Sequence, residues 1–173
     1  MIAILLNDAS FEQDIRELLM AFYPGETFTH KEEEAGEAEL IVRGVRDGNS
    51  FSLDVTPVKK EAVHFALIYP DFSNRFETKN EIKQTLYRLL SAQTGRELPW
   101  GTLTGIRPTK IALTKLYDGW TDEQIETYMR ETYFTSKEKI DLSIDVAERE
   151  RRLLSTIDYE NGYSLYVGIP FCP

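Results

Sequence analysis

The amino-acid sequence predicts an α+β fold: a small, mainly antiparallel sheet with helices on one face, followed by a three-helix subdomain. Two observations lead to this prediction. Short segments typical of strands are mixed with amphipathic helical patterns up to residue 97, whereas three helical patterns follow one another after it. The chain therefore divides into an α+β domain over residues 1–97, a helical subdomain over 98–157, and a linker with the first strand of a further domain over 158–173.

The first strand and the first helix are predicted before residue 25. Residues 2–6 are apolar and have the length of a strand. Ser10 and Gln13 have the spacing of a capping box, in which each side chain satisfies a free backbone group at a helix start. An apolar face then recurs at helical spacing, formed by Phe11, Ile15, Leu18, Leu19 and Phe22.

A β-hairpin is predicted next, with strands over residues 40–46 and 50–56. The sequence Asp-Gly-Asn over residues 47–49 tolerates the positive φ that a tight turn needs. Residues 63–69 fit either a strand or a short helix, because their periodicity does not distinguish the two.

The later helices are predicted from their start signals. Pro108 suits the first turn of a helix, because proline lacks a backbone N–H that this turn does not use. Three further helices are predicted to begin at capping boxes, formed by Thr78 with Glu81, Thr121 with Gln124, and Thr135 with Glu138. Gly95 and Gly119 stand where two of the helices should end.

The composition indicates a folded protein, with 42% hydrophobic residues among 173. The net charge of −9 argues against nucleic acid or an anionic membrane as a partner. No apolar run approaches the roughly 20 residues that span a bilayer, and the N-terminus lacks the basic start of a signal peptide. We therefore expect a cytoplasmic protein with no membrane partner.

The end of the chain carries the clearest chemical signal. A strand predicted over residues 164–169 leads into Pro170, Phe171 and Cys172. Cys172 is the single cysteine of the chain, so the sequence contains neither an internal disulfide nor a complete cysteine metal site. His30 and His64 have no partners at metal-ligand spacing, and we interpret them as ordinary loop and strand residues.

Residues 166–173 (YVGIPFCP) resemble the entry strand of radical S-adenosylmethionine (SAM) proteins of the coproporphyrinogen dehydrogenase group. In that group the strand leads into a loop whose three cysteines bind a 4Fe–4S cluster. The resemblance implies that Cys172 is the first cluster ligand and that Tyr166 lies near SAM. The other two cysteines are absent, so we expect an N-terminal fragment that carries no cofactor, is not itself catalytic, and has its own C-terminal barrel as a partner.

Two features resemble the HemZ-type branch of this group. Gly168 stands where much of the wider group has histidine, and residues 100–110 (WGTLTGIRPTK) look like the segment that precedes the barrel in that branch. This resemblance implies that the full-length protein is an oxygen-independent coproporphyrinogen III oxidase, an oxidoreductase of haem biosynthesis. It would use the cluster and SAM to decarboxylate propionates of a porphyrinogen substrate, and the fragment would be its accessory region.

Arg107 and Lys110 form a candidate anion site. They flank the predicted start of a helix, where free backbone donors favour a carboxylate of the substrate or of SAM. In the alternative interpretation, the segment is a helix entry docked through Trp100 and Leu103, with Arg107 in a structural ion pair.

Two other functions stay open at the level of the sequence. The protein could be a haem-handling relative of the same group. It could also be a nucleic-acid-binding module of a radical SAM modifying enzyme, with a basic patch formed by Lys59, Lys60, Arg107, Lys110 and Lys115.

Overall fold

The structure is a computed structural model that describes residues 1–58, 63–158, 161–163 and 165–168. The elements of its first half are β1 (Ile2–Leu6), α1 (Glu12–Phe22), β2 (Phe28–Thr29), β3 (Leu40–Asp47), β4 (Ser50–Pro57), β5 (His64–Ile68) and α2 (Arg75–Thr94). Three further helices follow: α3 (Thr109–Tyr117), α4 (Asp122–Tyr133) and α5 (Lys137–Leu154). The predicted α+β class is confirmed, and the segment with ambiguous periodicity forms strand β5.

The strands lie in the order β2-β1-β3-β4-β5 and form one mixed sheet. β3, β4 and β5 pair antiparallel, with Val42 opposite Val55 and Leu53 opposite Ala66. β1 is parallel to both of its neighbours, β2 and β3. The antiparallel part contains the hairpin that the turn residues predict, whereas the parallel pairs arise because α1 and the segment after it carry the chain back across the sheet.

Helices α1 and α2 cover one face of this sheet, as predicted. The inward residues of β1, β3 and β4 pack against both helices in one apolar core. Two edge-to-face aromatic pairs lie in that core, with ring centroids 6.4 Å apart for Phe11 and Phe51 and 5.4 Å apart for Phe22 and Tyr87. On the opposite face of β1, the short 3₁₀ helix Glu32–Glu37 packs Ala35 against Ala3.

The starts of α1 and α2 differ from the prediction. Asp8 accepts a hydrogen bond from the backbone N–H of Ser10 and caps a short 3₁₀ turn, so no capping box forms between Ser10 and Gln13. α2 begins one turn earlier than predicted, because the side chain of Asn74 accepts from the N–H of Glu77. Thr78 is therefore inside the helix, where it is buried.

The start of α4 agrees fully with the prediction, and the start of α5 agrees in part. Thr121 accepts from the N–H of Gln124 at 3.3 Å, and Gln124 accepts from the N–H of Thr121 at 2.9 Å. Ser136 is the N-cap residue of α5, but its side chain makes no capping hydrogen bond. The capping box predicted at Thr135 and Glu138 is therefore absent, although the helix begins where expected.

Helices α3, α4 and α5 enclose a second apolar core, to which they contribute Ala112, Leu113, Leu116, Ile125, Met129, Ile140, Ile144 and Ala147. The two cores meet between α2 and the end of α4. There the side-chain amide of Gln84 donates to the carbonyl of Thr132 at 2.8 Å, and the rings of Tyr87 and Phe134 lie 5.5 Å apart. None of the helices in the described part of the chain combines the length and apolarity needed to cross a membrane.

The predicted strand over residues 164–169 is not formed in its described part. Residues 165–168 are in no strand, and Leu165 is 80% exposed. A strand is stabilised by a neighbouring strand, and the described residues provide none for this segment.

Candidate functional site

The segment between α2 and α3 runs across the junction of the two cores. The N–H of Leu98 donates to the hydroxyl of Tyr87, and the N–H of Thr102 donates 2.8 Å to the carbonyl of Tyr133. Gly101 has a φ of 57°, and a Cβ at this position would lie 1.9 Å from the Tyr133 carbonyl oxygen. Only glycine fits here, because both the backbone conformation and the space exclude a side chain.

A polar cluster holds the middle of this segment against α1 and α2. The ammonium of Lys83 donates to the hydroxyl of Thr104 at 2.7 Å, and that hydroxyl donates to the carboxylate of Glu17 at 3.2 Å. Lys83 is only 4% exposed, and its burial lowers its pKa, as does the nearby charge of Lys79. A Cβ at Gly105 would lie 2.7 Å from the Glu17 carboxylate, so the segment packs closely on this cluster.

Beyond this cluster, the segment and α3 form one side of a cavity of about 340 Å³, which we call the Arg107 cavity. Its cationic lining residues are Arg107, Lys110 and Lys115. Its other walls are Phe76, Ile106, Ile111, Thr114, Tyr128 and Tyr133. An apolar cavity with several cations suits an organic molecule that carries carboxylates.

Two tyrosines form the inner wall of the Arg107 cavity. Their hydroxyl groups, on Tyr128 and Tyr133, lie 3.3 Å apart. Burial raises the pKa of the Tyr133 hydroxyl, and the hydrogen bond with Tyr128 raises it further. The ammonium of Lys115 lies 4.3 Å from the ring centroid of Trp120 and 5.1 Å from that of Tyr128. Tyr133 is therefore a neutral hydrogen-bonding group at neutral pH.

The structure brings Arg107 and Lys110 to one cavity, as the anion-site interpretation requires. It also places the guanidinium of Arg107 3.3 Å from the carboxylate of Glu150, as the structural alternative requires. The Arg107 side chain is 63% exposed, so this ion pair is open to solvent and contributes little to stability. An incoming carboxylate could therefore compete with Glu150 for this guanidinium.

The residues assigned to cofactors by resemblance are not part of this cavity. Tyr166 is 92% exposed and does not line it, and Cys172 lies outside the described residues. In the described ranges, no three His, Cys, Asp or Glu side chains lie close enough to hold a metal ion. His30 instead contacts the carboxylate of Glu12 at 2.7 Å, and His64 is in strand β5.

The basic patch considered for nucleic acid is only partly described. Arg107, Lys110 and Lys115 share the Arg107 cavity, while Lys59 and Lys60 lie outside the described residues. The Lys83 cluster and the tyrosine pair were not predicted from the sequence. The available signal was that Lys83 follows Lys79 by four residues and precedes Leu86 by three, which places it at the edge of the apolar stripe of α2.

Comparison with known proteins gives one informative relative. Over 122 residues, which are 68% of its length, the chain is 34% identical to the "Oxygen-independent coproporphyrinogen-III oxidase-like protein HemZ" of Bacillus subtilis (strain 168). The match covers 24% of that relative, so the chain spans about a quarter of its length. The resemblance to HemZ-type proteins is thereby confirmed. No protein-family model matches the chain, and no solved structure matches it.

Proposed function

We propose that this chain, a relative of a HemZ coproporphyrinogen-III oxidase-like protein, is the accessory region of a radical SAM enzyme that decarboxylates porphyrinogen propionates. The similarity over 68% of the chain carries this proposal. The motif from Tyr166 to Cys172 supports it, because it resembles the strand that leads into the cluster-binding loop of such enzymes. The role in haem biosynthesis and the cytoplasmic location are parts of the same proposal.

The described residues include no complete ligand set for the metal cluster of that reaction. They contain no three-ligand metal set, and Cys172 alone could supply one thiolate to a 4Fe–4S cluster. When bound in the full-length protein, the cluster and SAM would supply the radical that removes hydrogen from the substrate. This chain would instead bind and orient the substrate and exclude water from the barrel.

The Arg107 cavity is the part of this chain that we assign to the substrate. Coproporphyrinogen has an apolar ring of four pyrroles joined by methylene groups, with propionate carboxylates at its edge, and the cavity combines apolar walls with three cations. Arg107 and Lys110 would each bind a carboxylate, and the hydroxyls of Tyr128 and Tyr133 would donate hydrogen bonds beside them. A peripheral propionate would thus be held while another is placed in the barrel.

The accessory role is tested by comparing this chain with the full-length protein. Both would be reconstituted anaerobically with iron and sulfide and then reduced with SAM present. We expect 5′-deoxyadenosine from the full-length protein and none from this chain. SAM cleavage by this chain alone would overturn the accessory role.

The substrate assignment is tested by titrating this chain with coproporphyrin III and with haem. We expect saturable binding of coproporphyrin that is weakened by the Lys110→Met substitution. Haem binding without coproporphyrin binding would favour the haem-handling function instead. Binding of RNA or DNA that falls steeply with added salt would favour the nucleic-acid-binding function.

A further inference from the structure

A second cavity, on the other side of the α4 C-terminus, is not used by the proposed function. Its volume is about 560 Å³, within the range of small-molecule sites. α2 contributes Arg88 and Ser91 to its lining, the end of α4 contributes Arg130 and Phe134, and the start of α5 contributes Thr135 and Lys137. We call it the Arg88 cavity.

Two residues that line the Arg88 cavity have a hydroxyl group with no hydrogen-bond partner among the described residues. Both Ser91 Oγ and Thr135 Oγ1 are shielded from solvent and unpaired within the described part of the chain. Thr135 as a whole is only 2% exposed. Buried hydroxyls in folded proteins are nearly always paired, because an unpaired one loses its hydrogen bonds to water without compensation. Because Ser91 and Thr135 both line the cavity, we take a ligand bound there as the source of the missing partners.

The start of α5 adds free backbone donors to the same cavity. Ser136, its N-cap residue, lines the cavity and makes no side-chain capping bond, although the helix is 18 residues long. The N-terminus of a helix has unpaired N–H groups and a partial positive charge, which together favour an anion. The unpaired hydroxyl of Thr135 is directly next to this helix start, so both features point to the same ligand group.

The charged side chains around the cavity also favour an anion. Arg88, Arg130 and Lys137 line it, against one carboxylate, Glu97. Arg130 and Lys137 already contact Glu126, at 3.1 and 3.3 Å. Arg88 has no carboxylate partner among the described residues, and its guanidinium lies over the ring of Phe134 at 4.9 Å from the centroid. Arg88 is thus a cation available to a ligand.

The aromatic residues of the cavity indicate what the anion is attached to. Phe134 and Tyr87 both line it, and their rings lie 5.5 Å apart. An aromatic face beside a guanidinium is a surface on which a planar group can stack. We propose that the Arg88 cavity binds a small organic anion, whose carboxylate or phosphate meets the start of α5 and whose planar apolar part lies against Phe134.

The proposal is tested by NMR titration of the ¹⁵N-labelled chain with phenyl phosphate, phenylacetate and inorganic phosphate. We expect saturable chemical-shift changes of the amides of residues 135–138 with phenyl phosphate, phenylacetate or both. The one that binds more tightly identifies the anionic group of the ligand as phosphate or carboxylate. Inorganic phosphate should bind more weakly than phenyl phosphate, because it lacks the planar part. Equal affinities for phenyl phosphate and inorganic phosphate would contradict the proposal that a planar group lies against Phe134. The absence of a saturable shift with every probe would contradict the binding site itself.

Variants separate this site from general surface attraction. Arg88→Met should lower the affinity for the tighter-binding probe by roughly tenfold, since it removes a charge-assisted hydrogen bond. Arg149→Met, which removes an exposed arginine that pairs with Asp145 elsewhere on α5, should leave the affinity unchanged. Equal losses in the two variants, or none in Arg88→Met, would contradict the proposal.

Thr135→Val provides a test that does not depend on charge. Valine has nearly the same shape as threonine and leaves no unpaired hydroxyl, so the thermal midpoint should stay the same or rise. The affinity for the probe should nevertheless fall several-fold, because the ligand loses one hydrogen-bond partner. An unchanged affinity in Thr135→Val would show that this hydroxyl does not face the ligand.

Discussion

The hydroxyl of Thr104 donates a hydrogen bond to the carboxylate of Glu17, 87 positions earlier in the chain, across a distance of 3.2 Å. The same hydroxyl accepts from the buried ammonium of Lys83. This contact fixes the segment between α2 and α3 on the α+β layer, and the Arg107 cavity begins only two residues after it. The position of the cavity relative to the sheet therefore depends on Thr104.

Replacing Thr104 by valine should destabilise the chain by about 1–3 kcal/mol. The substitution removes the acceptor of the Lys83 ammonium, and leaving a buried polar group unpaired has a cost of this size. Urea denaturation measures the change in the free energy of unfolding. Thr114→Val is the matched control, because that hydroxyl is exposed and bonds only within α3, to the carbonyl of Lys110. An equal effect of both substitutions would contradict the role of the cluster.

Gly101→Ala should be far more destabilising than Gly119→Ala. Both glycines have positive φ, but a Cβ at Gly101 would lie 1.9 Å from the Tyr133 carbonyl oxygen, whereas a Cβ at Gly119 would have no atom within 4 Å apart from those of its own residue and its two chain neighbours. We expect a loss of about 1 kcal/mol at Gly119 from the backbone conformation and of roughly 3 kcal/mol or more at Gly101. Similar thermal midpoints for the two variants would contradict the close approach of Gly101 to the Tyr133 carbonyl.

The stability contributed by Lys83 should depend on pH in a definite direction. The pKa of Lys83 in the folded state is lowered, chiefly by burial. At pH values below that pKa, Lys83 is protonated in both the folded and the unfolded state, so the full cost of burying its charge lowers the stability of the fold. As the pH rises through the folded pKa towards the ordinary value of 10.5, this cost is relieved.

The wild-type chain should therefore gain stability relative to Lys83→Met as the pH rises from neutral towards the ordinary lysine pKa of 10.5. Urea denaturation of both proteins across this range measures the difference in the free energy of unfolding. A difference that stays constant, or that moves in favour of methionine as the pH rises, would contradict the burial of a charged Lys83.

Features that depend on neighbouring residues could be predicted from the sequence. The capping box of Thr121 and Gln124 forms as expected, because both partners are within one helical turn. The turn between β3 and β4 likewise follows from residues 47–49. Asn74, by contrast, starts α2 one turn before the box predicted at Thr78, since two competing start signals stand close together and only the packing of Thr78 in the core decides between them.

Features that join distant parts of the chain could not be predicted. Thr104 and Glu17 look like ordinary surface residues in the sequence, and only the docking of the segment on α1 and α2 brings them together with Lys83. The parallel pairing of β1 with β3 has the same origin. Arg107 and Lys110 could be predicted as a pair because three positions separate them, whereas the tyrosines that complete their cavity come from α4.

Lys110→Met should raise the KM of the full-length protein for coproporphyrinogen III roughly fivefold to tenfold and leave kcat nearly unchanged. A contact that holds a peripheral carboxylate is present in both the ground state and the transition state, so its loss weakens binding without slowing the chemical step. Lys31→Met is the control, because Lys31 pairs with Glu34 on the opposite face of the sheet. A fall in kcat with unchanged KM would contradict the assignment of the Arg107 cavity to substrate binding.

The central claim, that this chain belongs to a porphyrinogen-decarboxylating radical enzyme, is tested most directly by one anaerobic assay. The full-length protein, with its cluster reconstituted, would receive reductant, SAM and coproporphyrinogen III. We predict that 5′-deoxyadenosine and protoporphyrinogen IX form together. Formation of 5′-deoxyadenosine without the porphyrinogen product would contradict the substrate, and formation of neither would contradict the reaction class.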